Sequence, residues 1–180
     1  MRDAWLVATD DHPFRRDPAV VSHPDVEGPP LTDEMIVRTL EVLGRPLPSS
    51  YLDLMRRCNG GYLLDTCVSA PRPTSWAPDH VSVASILGIP AVDDDGRFGT
   101  GAGVLCTPYI ISEWGLPTEV VLLDGDGHTW TALDYRTLGE PEEPSVIWFD
   151  VELADELTIA STFSDLLRRL RPESDFLAAG

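Results

Sequence analysis

The chain has 180 residues and a mass of 19.7 kDa, enough for one domain with a core of its own and too little for two full ones. Hydrophobic residues make up 43% of it, which excludes a disordered polymer. Thirteen basic side chains, all arginine, face thirty acidic ones, for a net charge of −17. That balance argues against phosphate-rich nucleic acid and against anionic lipid, both of which need a cationic surface. A basic protein partner remains open, because charge of this size steers encounter.

No apolar run approaches the roughly 20 residues of a membrane helix. The N-terminal residues turn acidic at Asp10-Asp11, too soon for a secretory signal. Cys58, Cys67 and Cys106 form an odd, sparse set that reads as thiols in a reducing compartment. A cytoplasmic location is the expectation. Residues 1–30, with Pro13, Pro18, Pro24, Pro29 and Pro30, read as an extended N-terminal arm with one short strand near Trp5-Leu6-Val7. Residues 31–180 read as a single domain.

Regular structure begins at Leu31. Thr32 is a good N-cap, Asp33 and Glu34 suit the first turn, and Ile36, Leu40 and Leu43 fall on one helical stripe that Gly44 closes. A second helix runs from Ser49 or Ser50 to Cys58, with Tyr51, Leu54, Met55 and Cys58 on one face and Asn59-Gly60-Gly61 as its stop. Segments 62–70 and 80–86 read as short strands, and Val104 to Ile111 as another. Thr118 to Leu123 and His128 to Tyr135 form a hairpin across Asp124-Gly125-Asp126-Gly127. Pro141-Glu142-Glu143-Pro144 is a turn and Ser145 to Val151 a further strand. A helix from Thr162 to Arg171 buries Phe163, Leu166, Leu167 and Leu170 and carries its arginines at the C-terminal end. Helices first, antiparallel hairpins next and a helix last predict an α+β fold, a mostly antiparallel sheet with two N-terminal helices and one C-terminal helix packed on it.

The chain offers little catalytic chemistry. Gly99, Gly101 and Gly103 lack dinucleotide spacing and are expected to precede a strand, not a helix N-terminus. The Asp124–Gly127 turn has the outline of a calcium loop, but its twelfth position is Tyr135 where a glutamate belongs. The Asp93-Asp94-Asp95 run reads as a solvated loop. The cysteines show no CxxC pair, and no GxSxG elbow occurs. His128 and Asp134 lie about 20 Å apart on an extended strand, too far for an acid–base pair. No cofactor, no metal and no enzyme activity are expected. Trp114, Trp130 and Trp148 read as packing residues or binding anchors.

Taken in order, these pieces resemble the SUKH superfamily in its Smi/Knr-type branch. The string LTDEMIVRTLEVLGRPLPSSYLDLMRRCNGGYL carries the Leu47-Pro48, Tyr51 and Asn59-Gly60-Gly61 elements of its opening. Trp114-Gly115-Leu116-Pro117, Asp124, Gly127-His128, Trp130 and Leu133-Asp134-Tyr135-Arg136 resemble its central hairpin. Pro144-Ser145-Val146 with Trp148, then Ile159 to Phe163, resemble its end. The resemblance spans about Leu31 to Leu170, and the loops at 71–79 and 93–103 depart from it. It implies a non-catalytic protein-binding domain, in bacteria an immunity protein that neutralises a cognate polymorphic or contact-dependent toxin by occlusion. The alternative is a regulatory or scaffold protein like the fungal regulators of cell-wall synthesis. A basic nuclease toxin would complement the acidic chain. The expected contact surface is Glu113, Trp114, Asp124, Asp126, His128, Trp130, Asp134 and Asp150. Asp134 or Arg136 could instead serve an internal ion pair, and Trp130 the core.

Overall fold

The computed structural model describes residues 14–15, 28–91, 103–136 and 143–177, with the backbone alone for Phe14, Arg15 and Leu177. The expected strand at Trp5-Leu6-Val7, most of the Pro-rich arm, the Asp93 to Ala102 loop and Pro141-Glu142 lie outside these residues.

Within the arm, β1 (Phe14–Arg15) pairs antiparallel with β2 (Gly61–Leu63). Helix α1 (Asp33–Leu43) begins where Thr32 Oγ1 accepts the Met35 amide, and ends at Gly44, whose φ of 68° is left-handed. Its inward stripe is rotated from the expected one. Leu40 is 47% exposed, while Thr39 is buried and Met35 and Leu43 pack on the core. Thr39 tolerates that position because its hydroxyl donates to the Met35 carbonyl at 2.8 Å. Helix α2 (Ser49–Arg57) buries Tyr51, Leu54 and Met55 as its spacing predicts.

After α2 the chain reverses at Asn59-Gly60-Gly61, and this turn is a hub as well as a stop. The buried Asn59 amide donates to the Pro29 and Ile89 carbonyls and accepts the Ile89 amide, each at 2.7 Å. Its own carbonyl receives the Gly28 amide. A methyl group at Gly88 would overlap that carbonyl, so only glycine admits the approach. β2 continues the sheet through β5 (Ser85–Ile86), while β3 (Cys67–Ser69) and β4 (His80–Ser82) form a separate two-stranded ribbon.

The stretch expected as a strand from Val104 to Ile111 is helical. A 3₁₀ turn at Gly103–Cys106 runs directly into α3 (Thr107–Trp114). A short apolar run carries no periodicity that separates strand from buried helix. Pro108 sits in the first helical turn, where its missing N–H costs nothing, and Gly115 at φ 67° closes the helix. Thr107 fixes the junction, donating to the Val104 carbonyl and accepting the Leu122 amide. Gly103 therefore opens a helical segment, contrary to the expected strand.

The main sheet is a four-stranded antiparallel meander of β6 (Val120–Gly125), β7 (Thr129–Asp134), β8 (Ser145–Asp150) and β9 (Asp155–Ala160). β9 has no counterpart in the sequence-based assignment. Alternation splits the apolar residues between two faces. Val121, Leu123, Leu133, Val146, Trp148, Leu157 and Ile159 join the main core with α2 and α4 (Phe163–Arg169). There Tyr51 and Phe163 meet edge to face, ring centroids 5.4 Å apart. Val120, Leu122, Trp130, Ala132, Ile147 and Phe149 form a smaller cluster under α3. A short helix, α5 (Ser174–Leu177), brings Phe176 onto the His80 ring at 4.4 Å. The architecture is the expected α+β one, with α3 as an additional layer.

β9 is an edge strand, and two arginines occupy its carbonyls. Arg72 donates to Glu156 O at 3.0 Å while gripping the Asp155 carboxylate, and Arg169 donates to Ile159 O at 2.6 Å. Unpaired strand edges are templates for a second chain. The double variant Arg72→Ala/Arg169→Ala is expected to self-associate in light scattering with little loss of stability, because exposed ion pairs contribute little. An unchanged mass at high protein concentration would show that the arginines do not protect the edge.

Candidate functional site

The eight residues expected at a contact surface divide into two groups. Four are committed within the fold. Asp124, at a bulge in β6, accepts the Ala84 amide at 2.7 Å and the Ser85 hydroxyl, tying the main sheet to β5. Burial raises its pKa, and the bonds from Ser85 and the neighbouring amides offset only part of that. Asp134 receives Arg136 through Nε and Nη2, both at 2.9 Å, and Arg136 also reaches Glu156. Burial pushes Asp134 up, but the Arg136 bonds outweigh it and hold the carboxyl below its usual value. Asp150 is buried, accepts the Glu152 and Leu153 amides that shape the turn after β8, and binds the Ser75 hydroxyl. Trp130 is 8% exposed and belongs to the smaller cluster. The internal ion pair of Asp134 with Arg136 and the packing role of Trp130 are the alternatives foreseen for those positions.

The other four face solvent. Glu113 and Trp114 end α3, and Trp114 is 43% exposed. Asp126 and His128 occupy the β6–β7 turn. Asp126 Oδ1 accepts the His128 and Thr129 amides at 2.9 and 2.7 Å, which organises the turn. Those bonds overcome the effect of burial and lower its pKa. His128 Nδ1 lies 2.8 Å from Glu152 Oε1, and its carbonyl receives the Val151 amide, so the two turns at this end of the sheet are joined.

The two groups meet at an aromatic pair. The Trp114 and Trp130 rings lie 6.4 Å apart, tilted by 51°. Trp130 in turn lies across Gly125, where a side chain would overlap its ring. The end of α3 at Trp114 is thus joined through Trp130 to Gly125, which leads into the turn that holds Asp126 and His128. Sequence reasoning missed Tyr109, 65% exposed and one helical turn before Glu113, together with Glu152 and the 66% exposed Leu153. Pro108 and Gly115 were the available signal that 107–114 is a helix, which would have aligned Tyr109 with Glu113.

Other chemistry is sparse. Among the described residues no group of three or more His, Cys, Asp or Glu side chains is placed to hold a metal ion. No helix among them is long and apolar enough to cross a membrane. Burial pushes the Cys106 thiol up to about 11, away from a reactive thiolate.

No curated protein matches the chain. The model of the SMI1 / KNR4 family (SUKH-1) matches residues 30–169, which takes in α1 through α4 and the whole four-stranded sheet. The chain belongs to the SMI1 / KNR4 family (SUKH-1).

Proposed function

We propose that this chain is a non-catalytic protein-binding domain, an immunity protein that neutralises a cognate polymorphic or contact-dependent toxin by covering its active site or substrate channel. The family match over residues 30–169 carries the proposal. The net charge of −17 supports it, because a nuclease toxin holds phosphate with basic side chains and an acidic inhibitor complements that surface. The carboxylates of Asp124, Asp134 and Asp150 are engaged in internal bonds, which favours occlusion over acid–base chemistry. Such a protein would act in the cytoplasm, where the toxin arrives.

The test is co-expression. The C-terminal domain of a large secreted protein encoded beside this gene is expressed with and without the chain. Rescue of growth is the expected result. A neighbour that is not toxic alone, yet binds the chain, would favour a regulatory or scaffold role instead.

A further inference from the structure

The end of the four-stranded sheet that carries the two tryptophans has three features that belong together. Trp114 exposes 43% of its surface at the C-terminal end of α3, beside Glu113. Trp130, which its ring approaches, is buried, and its indole N–H has no acceptor among the described residues. The adjoining turns present Asp126 and Glu152, both exposed, within a chain of net charge −17. Large aromatic side chains with a polar handle are common anchors at interfaces. A buried donor without a protein partner is a group whose bonding an incoming acceptor could complete.

From this arrangement we infer that the Trp114–Trp130 pair, flanked by Glu113 and Asp126, is a docking site for a cationic segment of a partner protein, with an arginine stacked on the Trp114 ring. The inference rests on the protein-binding reading above and adds the surface and the chemistry of its occupant. The guanidinium is favoured over an ammonium because its plane stacks on indole while its N–H groups remain free to pair with carboxylates. Like-charged surfaces are excluded by the surrounding carboxylates.

The probe is a short peptide of alternating arginine and glycine, with its lysine and glutamate counterparts, added to the full-length ¹⁵N-labelled chain. The five tryptophans supply five indole N–H signals. The expected result is movement of the Trp114 and Trp130 signals with the arginine peptide, less with lysine, and none with glutamate. The Trp114→Ala variant, or Glu113→Gln with Asp126→Asn, should weaken binding about tenfold or more, whereas Asp53→Asn on the exposed face of α2 should not. Equal weakening by Asp53→Asn, or movement of the Trp76 signal in place of Trp114, would overturn the assignment. A second arm repeats the co-expression rescue with Trp114→Ala. Rescue by the native chain and equally by this folded variant would refute the docking site and leave the immunity reading intact. A peptide response at Trp114 without any rescue would do the reverse.

Discussion

Replacing Asn59 with alanine is expected to cost about 3–5 kcal/mol, the largest loss expected from a polar substitution among the described residues. The side chain makes three 2.7 Å hydrogen bonds, to the Pro29 carbonyl and to both backbone groups of Ile89. Alanine would leave the Ile89 amide and two carbonyls without their partners, at roughly 1–3 kcal/mol for each buried group left unmade. The same residue joins three segments distant in sequence, the end of the arm, the α2 stop and the stretch after β5. Its loss therefore loosens their mutual placement as well. For a chain of this length each kcal/mol lowers the melting temperature by roughly 2–4 °C, so a fall of about 10 °C is expected in a thermal melt. Asn59→Asp should be nearly as damaging, because it turns two donors into an acceptor facing carbonyls. A melting temperature within about 2 °C of the native value would refute the hub.

Asp124 should give the second largest effect, with a dependence on pH of defined sign. Asp124→Ala removes the acceptor for the Ala84 amide and the Ser85 hydroxyl and is expected to cost about 2–3 kcal/mol. Burial raises the Asp124 pKa in the folded chain above its value in the unfolded one. The folded state then binds the proton more readily. Its contribution is fully present below the unfolded value, near about 4, and is lost as pH rises through the folded value. Asp124→Asn keeps an acceptor and sheds the buried charge. Urea unfolding of the native chain should show this loss as pH climbs from about 4, and the asparagine variant should lack it. Parallel pH profiles for the two proteins would contradict the assignment.

Much of the fold was legible in local signals, and the failures have physical causes. Thr32 and Gly44, or the spacing of Tyr51, Leu54 and Met55, act within a turn or two of helix, and the structure follows them. The runs VVLL and VIWF read clearly as strands because both faces of β6 and β8 are buried, leaving no polar alternation to confuse them. β9 was missed because its outer face, Glu156 and Thr158, is exposed while Arg72 and Arg169 cover its edge, so DELTIA looks like a polar loop. Leu40 was misplaced because apolar spacing cannot register that Thr39 satisfies its own hydroxyl inside the helix.

Which of the candidate aspartates the fold itself uses was not legible, because an aspartate that caps a turn and one that faces solvent are the same letter. Asp150 and Asp126 each accept two backbone amides, and what separates them is the burial of Asp150 and its bond from Ser75. Their partners, Ser75 for Asp150 and the ring of Trp130 beside the Asp126 turn, come from pairings that only the folded sheet creates.

The proposed role is binding and not chemistry. The most direct test is the mass, by size-exclusion chromatography with light scattering, of the purified full-length chain mixed with the C-terminal domain of a large secreted protein encoded beside this gene, once that domain is shown to be toxic. A stable complex of defined stoichiometry, tight at low salt and weakening as salt rises, is the predicted result. Neutralisation of the toxic domain without any complex, or with the domain cleaved or modified, would contradict the account.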